Sequence, residues 1–196
     1  MIIVRNSSFK TTPWKNGGGQ THEALRVPAQ GDAFRWRVSV AEVEASGPFS
    51  DFSGYWRSMT LLRGAGLRLQ FADGTETALK TVGDLAQFDG ALATHCDLLG
   101  GPCTDLNLIV SKAVTDLKVR VPVLQQPLTV QSQAAELLVV FAVSGSVGLQ
   151  GPGGQTETLS PWDLAVLNWP SAFDTMLNSL EKQTPARAFL ANFRDA

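Results

Sequence analysis

Apolar and polar residues alternate along short segments of this chain, and Gly, Pro, Asp or Ser interrupts each segment after a few positions. In residues 34–43, FRWRVSVAEV, large apolar side chains first alternate with arginine and serine. Such alternation is typical of a strand with one buried face and one polar face. The Asp-Gly in residues 71–76, FADGTE, is typical of a hairpin turn. Long helical periodicity is scarce, so the pattern predicts an all-β fold.

The second half of the chain repeats the pattern of the first. Residues 61–88 resemble residues 142–167, because Thr-Glu-Thr begins at positions 75 and 156 and Asp-Leu-Ala at positions 84 and 163. Matches in the same order favour a duplication. A unit of hairpins with Asp-Leu-Ala before a late strand resembles a cupin barrel. We therefore expect a bicupin, with one cupin-like barrel in residues 1–112 and, after a crossover, a second in residues 113–196.

Composition narrows the class of protein further. The chain is 44% hydrophobic and 17% charged with a net charge of −2, which indicates a globular protein without an electrostatic footprint for nucleic acid or an acidic membrane. The apolar run at 137–143 is far shorter than the roughly 20 residues of a membrane span. Cys96 and Cys103 are too few for a disulfide framework, and MIIVRNSSFK lacks a signal-peptide core. We expect a cytoplasmic protein that binds neither nucleic acid nor membrane.

Three consecutive glycines occupy positions 17–19 within WKNGGGQTHEAL. Glycine loses more backbone entropy on folding than other residues, so this run indicates a backbone conformation that side chains would prevent. One interpretation is a tight turn where the chain passes close to itself. The other is a nest of bare N–H groups that binds an anion beside Lys15, Asn16 and Thr21. The sequence leaves both interpretations open.

A metal site or a nucleophilic dyad would have to come from few residues. Cupin metal sites take two or three histidines and a glutamate, whereas this chain has only His22 and His95, outside any His-X-His pair. With Glu23 and Cys96 they form a metal site only if the fold brings them together. Cys96 follows His95 directly, and adjacent strand residues point to opposite faces. We expect no metal, no cofactor and no Cys–His dyad.

Several charged and amide side chains lie on or beside the predicted strands. Arg37 and Arg57 accompany apolar β-segments, and guanidinium groups form planar two-point contacts with carboxylates. Asp105 and Asn107 are two positions apart, so they lie on one face of a strand. Glu23 is a partner for either arginine. The set forms either an internal salt-bridge network that braces the barrel or the polar lining of a ligand pocket.

Four segments, in this order, resemble the HutD/Ves family: WKNGGGQTHE, FRWRVSVAEV, GPFSDFSGYWRSMTLLRGAG and FDGALATHCDLLGGPCTDLNLIV. The resemblance is strong over residues 9–112 and rests on length and pattern elsewhere. It implies a bicupin without the usual metal triad, in a small cytosolic bacterial protein. It also implies a role in modulating histidine utilisation, as for HutD members, or in a stress response, as for Ves members. Residues 105–112 depart from the family pattern, because Ser-Lys replaces a pair of arginines.

These observations lead to three hypotheses about function. The first is a binding module for a small carboxylate, such as urocanate or a formylated or formiminated glutamate, that modulates histidine utilisation or a stress response. The second is a metal-free or weakly metal-dependent cupin isomerase or hydrolase that uses Glu23, His22 or His95 as acid and base. The third is a protein–protein interaction module with tryptophans at its surface.

The first hypothesis assigns roles to particular residues. Arg37 or Arg57 holds the carboxylate, and the glycine amides contact an anionic or carbonyl oxygen. A homodimer is compatible with the edges of such sheets. The residues expected to bind the ligand are Lys15, Asn16, Gly17, Gly18, Gly19, Thr21, Glu23, Arg37, Arg57, Asp105 and Asn107.

Overall fold

The chain folds almost wholly into β-strands in the computed structural model, which describes residues 1–31, 33–181 and 183–195. In chain order the first strands are β1 (Ile2–Val4), β2 (Lys10–Pro13), β3 (Gly19–Val27), β4 (Trp36–Val43), β5 (Gly47–Pro48), β6 (Tyr55–Arg63), β7 (Leu67–Phe71), β8 (Glu76–Leu79), β9 (Leu85–Asp89), β10 (Thr94–Leu98) and β11 (Cys103–Ser111). The later strands are β12 (Thr115–Arg120), β13 (Leu128–Ser132), β14 (Glu136–Ser144), β15 (Val147–Gln150), β16 (Thr156–Leu159), β17 (Leu164–Asn168), β18 (Phe173–Ser179) and β19 (Arg187–Arg194).

Helical structure in the described ranges is limited to short 3₁₀ turns at Asn6–Ser8 and Pro152–Gly154. The all-β prediction is therefore confirmed. Within the same ranges, no helix has the length and apolar character needed to cross a bilayer.

Residues Phe9–Ala113 form one compact unit that contains two sheets. One sheet has the strand order β2-β3-β4-β11-β6-β9, and the other has the order β5-β10-β7-β8. Alternate side chains point into the core. In β7, Leu67 and Leu69 are fully buried, whereas Gln70 is exposed. The core draws apolar side chains from both sheets, and each fully buried one contributes about 1.5–3 kcal/mol.

Residues Met1–Ser8 and Val114–Ala196 form the second compact unit. Its sheets have the strand orders β1-β17-β14-β19-β12 and β13-β18-β15-β16. The apolar core again combines residues of both sheets, such as Val140 on β14 and Leu177 on β18.

Both units repeat one strand order, which agrees with the repeat in the sequence. The order β9-β6-β11-β4 corresponds to β17-β14-β19-β12, and β5-β10-β7-β8 corresponds to β13-β18-β15-β16. The repeated aspartates close equivalent turns. Asp84 Oδ2 accepts a hydrogen bond from the backbone N–H of Thr81 at 2.9 Å, and Asp163 Oδ2 accepts one from the backbone N–H of Ser160 at 3.0 Å. Asp-Leu-Ala is therefore repeated because its aspartate fixes the turn before β9 and β17.

The first eight residues lie in the unit of the C-terminal half, although the sequence led us to place residues 1–112 in one barrel. β1 pairs with β17, with Ile3 opposite Ala165. Arg5 Nη1 lies 3.0 Å from Asp163 Oδ2, and the pair forms a salt bridge. Pairing between segments so far apart leaves no mark on the local hydrophobic pattern, so the sequence did not indicate it. The division between Ala113 and Val114 lies beside the boundary drawn from the sequence.

The glycine run closes a tight turn. The backbone N–H of Trp14 donates to the carbonyl oxygen of Gly19 at 2.9 Å, and that of Gly17 donates to the carbonyl oxygen of Trp14 at 3.1 Å. The N–H of Gly18 donates to Asn16 Oδ1 at 3.1 Å. The amides of Gly17 and Gly18 are thus engaged within the turn, so this conformation favours the tight-turn interpretation over the anion nest.

Two of the glycines are required by backbone geometry. Gly17 has a φ of +70°, and Gly19 has a φ of +154°. A Cβ at Gly19 would overlap the carbonyl oxygen of Glu42 on β4. At Gly18 the nearest atom to a Cβ would be Asn16 Oδ1 at 3.4 Å, which is an ordinary contact. The chain therefore needs glycine most at position 19, where β3 begins against β4.

We expect Gly19→Ala to destabilise the protein by about 1–3 kcal/mol, because the methyl group forces the backbone of β3 away from β4. Gly18→Ala is the matched control and should change the free energy of unfolding by less than about 1 kcal/mol. Urea titration followed by tryptophan fluorescence measures both. Equal losses in the two variants would contradict this account of the turn.

Candidate functional site

A cavity of about 710 Å³ opens within the unit Phe9–Ala113. Its walls come from β3, β4, β6 and β11, from residues 12–16 and from the segment 48–52. This volume is within the usual range for a small-molecule pocket.

Strand pairing brings the polar residues of this cavity together from distant parts of the sequence. Ile109 on β11 lies opposite Arg37 on β4 and Arg57 on β6. Asp105 and Asn107 occupy alternate positions before Ile109 on the same strand. Because side chains of a strand alternate between faces, all of these residues point to the same side of the sheet and line the cavity.

Arg57 is buried among aromatic rings. Its side chain is only 6% exposed, and Nη2 donates to Asn107 Oδ1 at 2.7 Å. Its Cζ lies 5.1 Å, 5.3 Å and 5.1 Å from the ring centroids of Phe49, Phe52 and Phe88. Its Nε is buried without a hydrogen-bond partner in the described structure. The guanidinium group is therefore held by ring faces and one amide, with donor capacity left over.

Arg37 lies near Arg57, and its guanidinium group also contacts aromatic rings. Its Cζ is 5.4 Å from the ring centroids of both Phe34 and Phe52. Burial lowers the pKa of Arg37, although the nearby charge of Glu23 opposes this shift. Among the described residues, neither Arg37 nor Arg57 has a carboxylate within 4.0 Å, and Arg37 Nε has no hydrogen-bond partner.

Asp105 lies on the cavity wall and is fully buried. Asn107 Nδ2 donates a short hydrogen bond to Asp105 Oδ1, whereas Asp105 Oδ2 has no partner in the part of the chain that is described. Burial raises the pKa of Asp105 to about 7, and Arg57 and Asn107 counteract part of this rise. A carboxyl group in this setting is partly protonated near neutral pH.

The resulting charge balance favours an anion. Burial lowers the pKa of Arg57 to about 10, so the guanidinium group stays protonated at neutral pH. The cavity lining thus contains two arginines, the exposed Lys15 and one carboxyl group that is incompletely ionised. Buried charges without a close partner are costly, and a bound anion relieves that cost.

The mouth of the cavity is formed by the turn that carries the glycines. Lys15 and Asn16 are exposed and line the cavity. Trp14 Nε1 donates to Thr21 Oγ1 at 2.8 Å, which fixes the indole ring against β3. The glycine run lies outside the lining and positions these side chains instead.

The cavity brings together most, but not all, of the residues expected from the sequence. Glu23 and the three glycines are not part of its lining, although the charge of Glu23 opposes the lowering of the Arg37 pKa by burial. The expected residues that line the cavity are Lys15, Asn16, Thr21, Arg37, Arg57, Asp105 and Asn107.

Other lining residues were absent from the expected set. Ser39, Met59 and Ile109 line the cavity, and the two-residue alternation from Arg37, Arg57 and Asn107 would have indicated them. Phe52 also lines it and contacts both arginines. Its place depends on how the segment 48–52 crosses the sheet, for which the sequence offers no periodic signal.

The histidines do not form a metal site. His22 Nδ1 lies 2.8 Å from Thr11 Oγ1, and His22 Nε2 lies 3.6 Å from Glu42. His95 Nε2 lies 3.4 Å from Asp97 on β10. In the residues described, no three His, Cys, Asp or Glu side chains are grouped to hold a metal ion. The donor set therefore does not fit the metal centre of a typical cupin.

The cysteines are unsuited to nucleophilic chemistry. Cys96 and Cys103 are free and buried in the apolar core. Burial raises the pKa of both thiols to about 12, so neither is a thiolate near neutral pH.

The tryptophans differ in their exposure. Trp56 is 44% exposed, and Lys112 Nζ lies 5.0 Å from its ring. Trp169 instead packs against the core of the second unit.

Comparison with known proteins identifies the family. The HutD family model matches residues 6–184. A 21.2 kDa protein in the hutC 3′ region of Pseudomonas putida is 36% identical over 162 residues, which covers 82% of this chain and 83% of the relative. Protein Ves of Escherichia fergusonii is 31% identical over 133 residues and 67% of each chain.

Solved structures agree with these matches. HutD from Pseudomonas fluorescens SBW25 superposes with a TM-score of 0.82 at 29% identity, covering 100% of this chain and 98% of that one. A conserved protein of unknown function from Pseudomonas aeruginosa PAO1 reaches 0.88 at 31% identity, covering 99% and 98%. Oxalate decarboxylase of Bacillus subtilis reaches 0.63 at 10% identity, covering 100% and 77%, a likeness that concerns the cupin-like fold alone. The family that the sequence motifs indicated is confirmed: the chain belongs to the HutD/Ves family.

Proposed function

We propose that this protein binds a small carboxylate in the cavity of the unit Phe9–Ala113 and thereby modulates histidine utilisation or a stress response. The observation that carries the proposal is the pair Arg37 and Arg57. Both guanidinium groups line the cavity, both are at least partly buried, and each has an Nε without a hydrogen-bond partner in the described structure. A carboxylate supplies the acceptors that these groups lack.

The surroundings of the arginines suit a carboxylate. Phe49 and Phe52 lie against the guanidinium groups and exclude water from one side. Charge-assisted hydrogen bonds in such a setting contribute about 1.5–3 kcal/mol each. Met59 and Ile109 provide apolar contact for the remainder of the ligand. The cavity therefore combines an anion-binding end with an apolar wall.

The alternative is that the polar residues only brace the fold. A brace predicts that each arginine contacts a carboxylate of the chain, as Arg5 does with Asp163 at 3.0 Å in the second unit. The described residues give Arg37 and Arg57 no carboxylate within 4.0 Å. This difference favours a ligand pocket.

Relatives supply the biological context of the proposal. One relative is a protein of the hutC 3′ region in Pseudomonas putida, and another is HutD of Pseudomonas fluorescens, whose structure was obtained in a formate condition. Formate is the smallest carboxylate, so it is a suitable first probe. Urocanate and N-formylglutamate are the probes that address histidine utilisation.

We further propose that both units are cupin barrels, which makes the protein a bicupin. The support is the shared strand order of the two units and the equivalent turns closed by Asp84 and Asp163. The two units then differ in function, because the arginine pair of the proposed binding site belongs to the unit Phe9–Ala113.

A carboxylate that binds here is expected to raise the midpoint of thermal unfolding. At 100 times its dissociation constant a ligand adds about 2.7 kcal/mol, which corresponds to roughly 5–10 °C for a chain of this size. Thermal-shift titration with formate, acetate, urocanate and N-formylglutamate measures this effect. Arg37→Met and Arg57→Met should abolish the shift.

Arg63→Met is the matched control, because Arg63 lies on the same strand as Arg57 and its side chain is 64% exposed. This variant should keep the full shift. A carboxylate that stabilises Arg37→Met and Arg57→Met as much as the wild type would contradict the proposal.

Removing Arg37 is expected to leave the protein at least as stable without ligand. The side chain carries a charge into a partly buried site with no carboxylate of the described residues within 4.0 Å, so replacing it with an apolar side chain of similar size should change the free energy of unfolding by less than about 1 kcal/mol or increase it. Urea denaturation of Arg37→Met measures this. A loss of about 3 kcal/mol or more would instead indicate a structural brace.

A further inference from the structure

Asp105 has an unmet hydrogen-bonding capacity that carboxylate binding by the arginines alone does not explain. Its side chain is fully buried on the cavity wall. Oδ1 accepts a hydrogen bond from Asn107 Nδ2, and Oδ2 has no donor in the described structure. Buried carboxylate oxygens are nearly always hydrogen-bonded, so an unpartnered Oδ2 in a cavity needs an explanation.

The amide of Asn107 connects Asp105 to the anion-binding arginine. Arg57 Nη2 donates to Asn107 Oδ1 at 2.7 Å, and Asn107 Nδ2 donates to Asp105 Oδ1. Arg57 and Asp105 form no direct ion pair within 4.0 Å, because the amide lies between them. An anion bound at Arg57 therefore reaches Asp105 through one bridging amide and through the shared cavity.

The other ionisable groups near Asp105 do not supply a competing proton. Burial raises the pKa of the neighbouring thiols to about 12, so both thiols are neutral near pH 7. Arg57 and the hydrogen bond from Asn107 are what favour an ionised Asp105. The ionisable groups around it are Arg57 on β6, Arg37 on β4 with Glu23 near it on β3, Cys96 on β10, Cys103 on β11 and the exposed Lys15 in the lining of the same cavity.

We propose that the site binds its anion together with one proton, which Asp105 takes up from solvent. This inference rests on the proposed function, because it needs an anion at Arg57. The bound anion offsets the positive charge that favours an ionised Asp105, and it places a second negative charge in the same buried cavity. The proton goes to Oδ2, which is buried and has no donor in the described structure. A neutral carboxyl group costs less to bury at this position than a carboxylate, because burial without a partner penalises the charged form most.

The direction of the pH effect follows from linkage. Asp105 has a pKa of about 7 without ligand, and a bound anion raises it further. Below about pH 7 Asp105 is protonated in both states, so affinity does not depend on pH. Above that pH the free protein is ionised and the complex is not, so the dissociation constant rises by up to tenfold per pH unit. The rise ends where Asp105 ionises in the complex as well.

Nitrate is the decisive probe, with formate beside it. Nitrate is planar like a carboxylate and does not titrate, so any pH dependence belongs to the protein. We expect the dissociation constant of nitrate to be constant between pH 5.5 and about 6.5 and to rise above about pH 7. Asp105→Asn should bind with nearly the low-pH affinity at every pH, because its amide keeps a donor at this position without a charge. Asp97→Asn is the matched control, since Asp97 lies outside the cavity lining, and it should keep the wild-type profile.

Calorimetry of the wild-type protein tests the inference even if Asp105→Asn fails to fold. Titration of nitrate at about pH 8 in triethanolamine and in Tris, which differ in ionisation enthalpy and add no competing oxyanion, measures the number of protons taken up. We expect between one half and one proton per anion bound. An unchanged dissociation constant and no proton uptake would overturn this inference and leave carboxylate binding in place. Absence of both formate and nitrate binding at every pH would refute the proposed function as well.

Discussion

Two guanidinium groups on one face of a sheet, with no carboxylate of the described residues within 4.0 Å, set the main constraint on this structure. Burying such groups costs free energy, and here aromatic faces and one amide offset only part of the cost. The apolar core of the unit must supply the stability that the cavity does not. This unbalanced burial is what supports the proposal that a ligand completes the site.

The backbone around the cavity positions the side chains that line it. Gly19 lets β3 begin in direct contact with β4, and the nearby hydrogen bond from Trp14 Nε1 to Thr21 Oγ1 joins two residues that line the cavity. The segment 48–52 brings Phe49 and Phe52 over the arginines from the other side. The glycine run thus acts on the site indirectly, by fixing where the neighbouring side chains lie, since the amides of Gly17 and Gly18 are used within the turn.

Local sequence patterns predicted the features that depend on interactions between residues close in sequence, namely strands, turns and the facing of side chains within a strand. Alternation indicated the strands, the repeat of Asp-Leu-Ala marked equivalent turns, and two-residue spacing placed Asp105 and Asn107 on one face. The pairing of β1 with β17 and the position of Phe52 depend on contacts between distant segments, so the sequence did not reveal them. The missing partner of Asp105 Oδ2 is likewise a property of the packed cavity.

The central claim is that a carboxylate binds between Arg37 and Arg57. The most direct test follows the side-chain Nε–H signals of these residues by NMR in arginine-labelled protein while formate is added. The account predicts that both signals shift with one common dissociation constant, because both groups gain an acceptor or lie beside one. Signals of Arg37 and Arg57 that stay unchanged up to high formate concentration, with the protein folded, would contradict it.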